Sequence, residues 1–240
     1  MNFNSALYAL GAILLGVIIC WSGDFAMQWQ PVADGVPLRA PLAYLSGALL
    51  IAGGVGLLLR KWEQKAALLL ALNYGFWTVV LHGWKVAGNP GVLIEWNGIA
   101  EIGFLTCGAT ALYASTGPAR ADTLRKWARL MAGVFALTFG AVHFHYLDGT
   151  ASFVPAWIPP NTHFWAAATG AGYLAAGLAL LSGVQARLAA TLTTFMMACF
   201  VVLLHLPRVI ANPELRVEWI MLAVSSSLTG AAWLVRKYST

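Results

Sequence analysis

Charged residues make up only 10% of this 240-residue chain. A soluble domain usually carries about 25%. So little charge excludes a water-covered globule and calls for a lipid solvent, in which apolar side chains can face outward. Cysteine is scarce as well. Cys20, Cys107 and Cys199 all fall inside apolar stretches, and none forms a C-x-x-C pair. That excludes surface dithiol chemistry and leaves them as small apolar residues. No H-E-x-x-H or C-x-x-C-H motif announces a metal or haem centre. The net charge of +5 is spread over short loops with no basic stripe, which excludes nucleic acid as a partner. The first apolar stretch has no Lys or Arg ahead of it and no small-x-small cleavage signal, so it reads as a retained helix rather than a secretion signal.

What is present is apolar length. Hydrophobic residues make up 60% of the chain, and Trp occurs 11 times, suited to anchoring at two membrane–water interfaces. Eight apolar stretches stand near 5–23, 40–59, 65–84, 97–115, 128–147, 163–182, 187–206 and 217–235. Each approaches the ~20 residues that cross a bilayer. Barrel-type alternation is not seen.

The stretches repeat. A shift of 123 residues places Leu81-His82-x-x-Lys85-Val86-x-x-Asn89-Pro90 on Leu204-His205-x-x-Arg208-Val209-x-x-Asn212-Pro213, and Glu95-Trp96 on Glu218-Trp219. The same shift places Gly47 on Gly170 and Gly54 on Gly177; one residue more places Gly16 on Gly140 and Asp24 on Asp148. Four spans per copy is an even number, so both copies enter the membrane in the same direction. The expected fold is therefore an all-α integral membrane protein, with eight transmembrane helices as two parallel four-helix repeats. Residues 1–116 form the first repeat, 117–127 a cytoplasmic linker and 128–240 the second. With the N-terminus inside, Arg60, Lys61, Lys65, Arg120, Arg125, Lys126, Arg129, Arg187, Arg236 and Lys237 fall on the inner side. Only Arg39, Lys85, Arg208 and Arg216 fall outside, so both termini are expected to be cytoplasmic.

All five histidines lie toward the outer side. Intramembrane ionisable residues are costly and mark candidate sites. His82 and His205 are expected to end the third and seventh helices, each with a cation three residues on (Lys85, Arg208) that shares its face. Glu95 and Glu218 return at the start of the next helix. Each repeat thus builds a His, base, Asn and Glu cluster, either as a polar clasp or as a ligand pocket. In the second half, inward His143 or His145 with His163, His205 and Glu218 suits a transition metal, and a facing His pair suits haem. Asp148 and His163 stand at similar height. In the first half, Glu101 stands where the second half has Val224, and Asn73 where it has Met196. A carboxylate at that depth tends to be neutral or paired, with His82 a candidate partner. The stiff loop Phe153–Pro160, with Trp157, either roofs the outer cavity or rests at headgroup level.

The stretch Val154-Pro155-Ala156-Trp157-Ile158-Pro159, an apolar helix with Gly177, then Leu204-His205-Leu206-Pro207-Arg208-Val209-x-x-Asn212-Pro213 resembles the DoxX-like family of four-helix membrane proteins. The likeness spans about 128–236. It reaches the first half only through the repeat, where Lys85 replaces the Arg and the Pro-Ala-Trp-Ile-Pro loop is missing. It implies a bacterial inner (cytoplasmic) membrane protein associated with redox complexes. The implied site residues are His205, Arg208, Asn212 and Pro213, with His82, Lys85, Asn89 and Pro90 as counterparts. Three functions follow as expectations. One is a redox component binding a quinone, haem or transition metal near the outer face, with His205, Arg208 and Glu101 as catalytic candidates. His82, Lys85, Glu95, Glu218, Asn212 and Trp157 would then bind ligand, and His143, His145, His163 and His205 would bind metal. The second is non-enzymatic binding or transport of a lipid or other apolar small molecule. The third is a membrane anchor for a soluble redox partner docked on the outer side.

Overall fold

The structure, a computed structural model, describes residues 5–117 and 121–238. Eight long helices make up its frame. They are α1 (Ala6–Ser22), α2 (Arg39–Leu58), α3 (Glu63–Gly88), α4 (Leu93–Ser115), α5 (Ala121–His145), α6 (Thr162–Ser182), α7 (Ala186–Ala211) and α8 (Arg216–Tyr238). Short turns at Met27–Trp29 and Leu147–Ala151 lie in the two long loops. No strand occurs among the described residues. Six of the helices, α2, α3, α5, α6, α7 and α8, are long and apolar enough to cross a membrane. α1 is apolar but has 17 residues. α4 has 23 residues and is polar in its first turns, where Glu95, Asn97 and Glu101 sit.

Sequence periodicity places the ends of the third and seventh helices at His82 and His205; the structure moves them outward. Both helices continue, to Gly88 and Ala211. Each passes through one widened turn with i→i+5 bonding, at Trp77–His82 and at Val201–His205. Such π-bulges absorb an extra residue without ending the helix. In α7 the bulge also lets Pro207, which has no N–H to donate, sit inside the helix. Both helices stop instead at an asparagine of nearly the same backbone shape, Asn89 (φ −138°, ψ 61°) and Asn212 (φ −136°, ψ 62°). The expected linker is largely helical, because α5 begins at Ala121; residues 118–120 lie outside the described ones.

Packing follows the chain. Each helix from α1 to α8 lies against the next, α8 returns to α1, and α4 crosses the middle to touch α8. Of α8's apolar stretch 67% is buried, against 17% for α7, so α8 is central and α7 peripheral. Small residues permit the close contacts. A Cβ on Gly108 of α4 would stand 2.6 Å from the Ala231 Cα of α8. One on Gly16 would stand 2.6 Å from the Gly47 carbonyl, and one on Gly140 2.9 Å from the Gly170 carbonyl. The Tyr8 hydroxyl donates to the Leu105 carbonyl at 2.8 Å and ties α1 to α4. Leu178, Leu192, Phe195 and Ile210 face outward, as a lipid-contacting surface requires.

One end of the bundle gathers the ion pairs of Asp24, Arg39, Lys85, Glu95, Arg208, Arg216 and Glu218, and is called the clasp end below.

Candidate functional site

The Asn-Pro turn after α3 reverses the chain so that α4 starts beside the end of α3. Lys85 Nζ then meets Glu95 Oε2 at 3.2 Å, and the Trp96 indole donates to the Pro90 carbonyl at 2.9 Å. The turn after α7 repeats this. Arg208 donates from Nε and Nη2 to the two Glu218 oxygens at 2.8 and 2.7 Å, and Trp219 donates to the Pro213 carbonyl at 2.9 Å. Arginine's fork makes the second clasp bidentate, which Lys85 cannot match. The second clasp's carboxylate is also the deeper of the two, since Glu218 is 3% exposed.

Above the first clasp, loop 24–38 folds down into the bundle. Trp29 and Gln30 are buried. Gln30 donates to the Ser46 hydroxyl at 2.6 Å and accepts from the Ala26 N–H at 3.0 Å. Trp29 is held at both ends. Its carbonyl accepts from His82 Nε2 at 3.2 Å, which makes Nε2 the protonated ring nitrogen, and its indole donates to Glu101 Oε2 at 2.5 Å. Asn97 Nδ2 donates to Glu101 Oε1 at 3.0 Å. His82, 2% exposed, also lies flat against Gly98, where any Cβ would strike the ring. Arg39 pins the loop through Asp24 (2.8 Å) and the Val32 and Ala33 carbonyls (2.7 and 2.9 Å). Arg216, from the start of α8, reaches across to the Asp24 and Phe25 carbonyls. Partial burial pushes the Asp24 carboxyl up, but the Arg39 hydrogen bond, the Phe25 N–H and the charges of Arg39 and Arg216 outweigh it and hold its pKa below the usual carboxylate value.

Above the second clasp the loop stands off. Phe153, Val154, Pro155 and Trp157 face Leu203, Leu204, Pro207, Arg208, Ala211 and Asn212 across a cleft of about 350 Å³. The Arg208 guanidinium lies 5.0 Å from the Phe153 ring centroid. Trp157 is 72% exposed at the mouth. The expectation that this loop roofs a cavity therefore holds in part: it walls one side. Asn212, expected to bind ligand, lines the cleft while its amide donates to the Arg208 carbonyl at 3.3 Å.

The histidines do not converge, which corrects the metal expectation for His143, His145, His163 and His205. His143 Nδ1 is bonded to the Phe139 carbonyl of its own helix at 2.8 Å, and its ring packs on Tyr173 at 5.2 Å. His145 is exposed and packs on Tyr146. His163 pairs with Asp148 at 3.0 Å. Among the described residues no three His, Cys, Asp or Glu side chains are grouped to hold a metal. The reason is angular: residues 143 and 145 point to different sides of α5, and Asp148 engages His163. Among the described residues lining the cleft there is no histidine to serve haem as an axial imidazole. His205 sits in the widened turn, half-buried, its Nδ1 without a partner among the described residues.

Trp29 and Asn97 were not among the residues singled out from the sequence. Asn97 was within reach, four residues before Glu101 on the same helix face. Trp29 lies in a loop, where periodicity says nothing.

The frame and its apolar surface define an all-α membrane protein. Residues 125–206 match the DoxX family model, a segment that carries His143, His145, Trp157, His163 and His205. That segment is similar to the DoxX family, and the match covers about a third of the chain. No curated protein and no solved structure matches it.

Proposed function

We propose that the chain is a tandem duplication of a four-helix unit, with all eight helices spanning a bacterial inner membrane and both termini cytoplasmic. The matched π-bulges, asparagine stops, Trp–Pro bonds and clasps support this reading, as does the packing order, in which α1–α4 and α5–α8 make corresponding contacts and α4 meets α8 on the axis. The clasp end is then the outer face.

The function that fits best is binding of a neutral, apolar molecule with a hydrogen-bond-accepting oxygen, of the quinone class, in the outer cleft of the second half. One observation carries it. The cleft is walled by aromatic and aliphatic side chains and its cation, Arg208, is already neutralised by Glu218. An anion would compete with Glu218, whereas a carbonyl oxygen only needs a spare donor, and neither clasp bond uses Nη1. A bound quinone supplies two-electron, two-proton redox chemistry. The chain's part is to orient the ring against Phe153 and Trp157 and to lead its tail along Leu203 and Pro207 into lipid. A soluble redox partner would dock on the outer side.

Titrating a short-tailed quinone into purified protein tests this. Saturable binding is expected, with at least a tenfold loss in Ala211→Trp, which fills the cleft without touching the clasp. Unchanged affinity in that variant contradicts the proposal. A second reading, lipid binding without redox change, is favoured by the outward-facing Leu206 and Ile210 beside the cleft. A co-purifying lipid displaced by Ala211→Trp, with no quinone binding, selects it.

A further inference from the structure

We propose that Glu101 is a reversible proton-binding site in the first half, loaded from the clasp end past Asn97 and separate from the cleft. Among the described residues its carboxylate pairs with no cation. Asp24, Glu95 and Glu218 each meet an Arg or Lys, at 2.8, 3.2 and 2.7 Å. Among the described residues Glu101 accepts from an indole and an amide, both neutral. A charge held in a membrane helix without a counter-ion is the group that gains most from taking up a proton.

The two donors are not equivalent, and their difference builds the site. An indole N–H can only donate. A side-chain amide can turn and present its oxygen. In the ionised state both oxygens accept, as seen. In the protonated state Oε2 still accepts from Trp29, while the new Oε1–H donates to Asn97 Oδ1 after one amide rotation. Both carboxyl oxygens of Glu101 therefore keep a hydrogen-bond partner in either state, at the cost of one torsion. Asn97 is half-buried and stands one turn nearer the clasp end, so the oxygen that changes state is the one on the water side.

The other titratable groups around the cluster are few. His82 is fixed on the Trp29 carbonyl, and the Lys85–Glu95 pair lies further out. Tyr173 of α6 is within electrostatic range, with His143 of α5 packed on its ring. None donates to or accepts from the Glu101 carboxyl.

Infrared difference spectra of the full chain in lipid nanodiscs, recorded across pH, test the proposal. A protonated-carboxyl C=O band is expected to grow on acidification and to vanish in Glu101→Gln. Asn97→Leu should move that band to higher frequency, because the protonated carboxyl loses its acceptor. Trp29→Phe should raise the midpoint by about one pH unit, because the ionised form loses its stronger, charge-assisted bond. If Glu101→Gln does not fold, the band shift in Asn97→Leu decides. A band set unchanged in Glu101→Gln, or a titrating band indifferent to Asn97→Leu, overturns the site.

Discussion

The two halves of this chain use one clasp but close it differently. In the first, the loop after α1 drops Trp29 and Gln30 into the crevice above the clasp, where Trp29 meets the buried His82 and the Glu101 carboxylate. In the second, the loop after α5 carries Phe153, Pro155 and Trp157 but leaves a gap, and His205 Nδ1 has no partner among the described residues. The fastenings differ too. Arg39 holds loop 24–38 by two carbonyls and Asp24, whereas the corresponding loop hangs on an exposed Asp148–His163 pair. One chain can thus keep one half plugged and leave a cleft in the other, with the clasp as common framework and the loop deciding access.

The largest effect should come from pulling the plug. Trp29→Ala removes a buried indole and the bonds at its end, so a loss of about 3–5 kcal/mol is expected. Trp157→Ala, at an exposed position, should stay within about 0.5 kcal/mol. Melting of both variants in detergent checks this, and equal losses would erase the contrast between plug and cleft wall. The clasps come next. Arg208→Ala strands the buried Glu218 charge and should cost about 3 kcal/mol. Lys85→Ala breaks a more open pair and should cost about 1 kcal/mol or less. A larger loss for Lys85→Ala in the same melting series would show that the first half, not the second, depends on its clasp.

Much of the frame was legible in the sequence because apolar length and the Asn-Pro and Glu-Trp matches are local signals. The clasp was legible too: Lys85 and Arg208 each lie ten residues from their carboxylates across a turn the sequence marks. The π-bulges were not, since hydropathy cannot distinguish a widened turn from a helix end, and the expected stops at His82 and His205 fell short for that reason. Glu101 was recognised as a buried acid, but its partner Trp29 was hidden: an indole 72 residues away in a loop leaves no periodic trace. The metal reading arose from histidines close in height. Height ignores the direction each ring faces around its helix axis, and that direction separates them.

The central claim is that the second half holds the open ligand site and the first half does not. Photolabelling with a short-tailed photoreactive quinone, followed by peptide mapping, tests it most directly. Labels should fall on 152–157 and 203–212, disappear in Ala211→Trp and persist in the mirror substitution Gly88→Trp. Labels concentrated on 24–38 and 80–89, or labelling that Gly88→Trp abolishes and Ala211→Trp leaves intact, would contradict it.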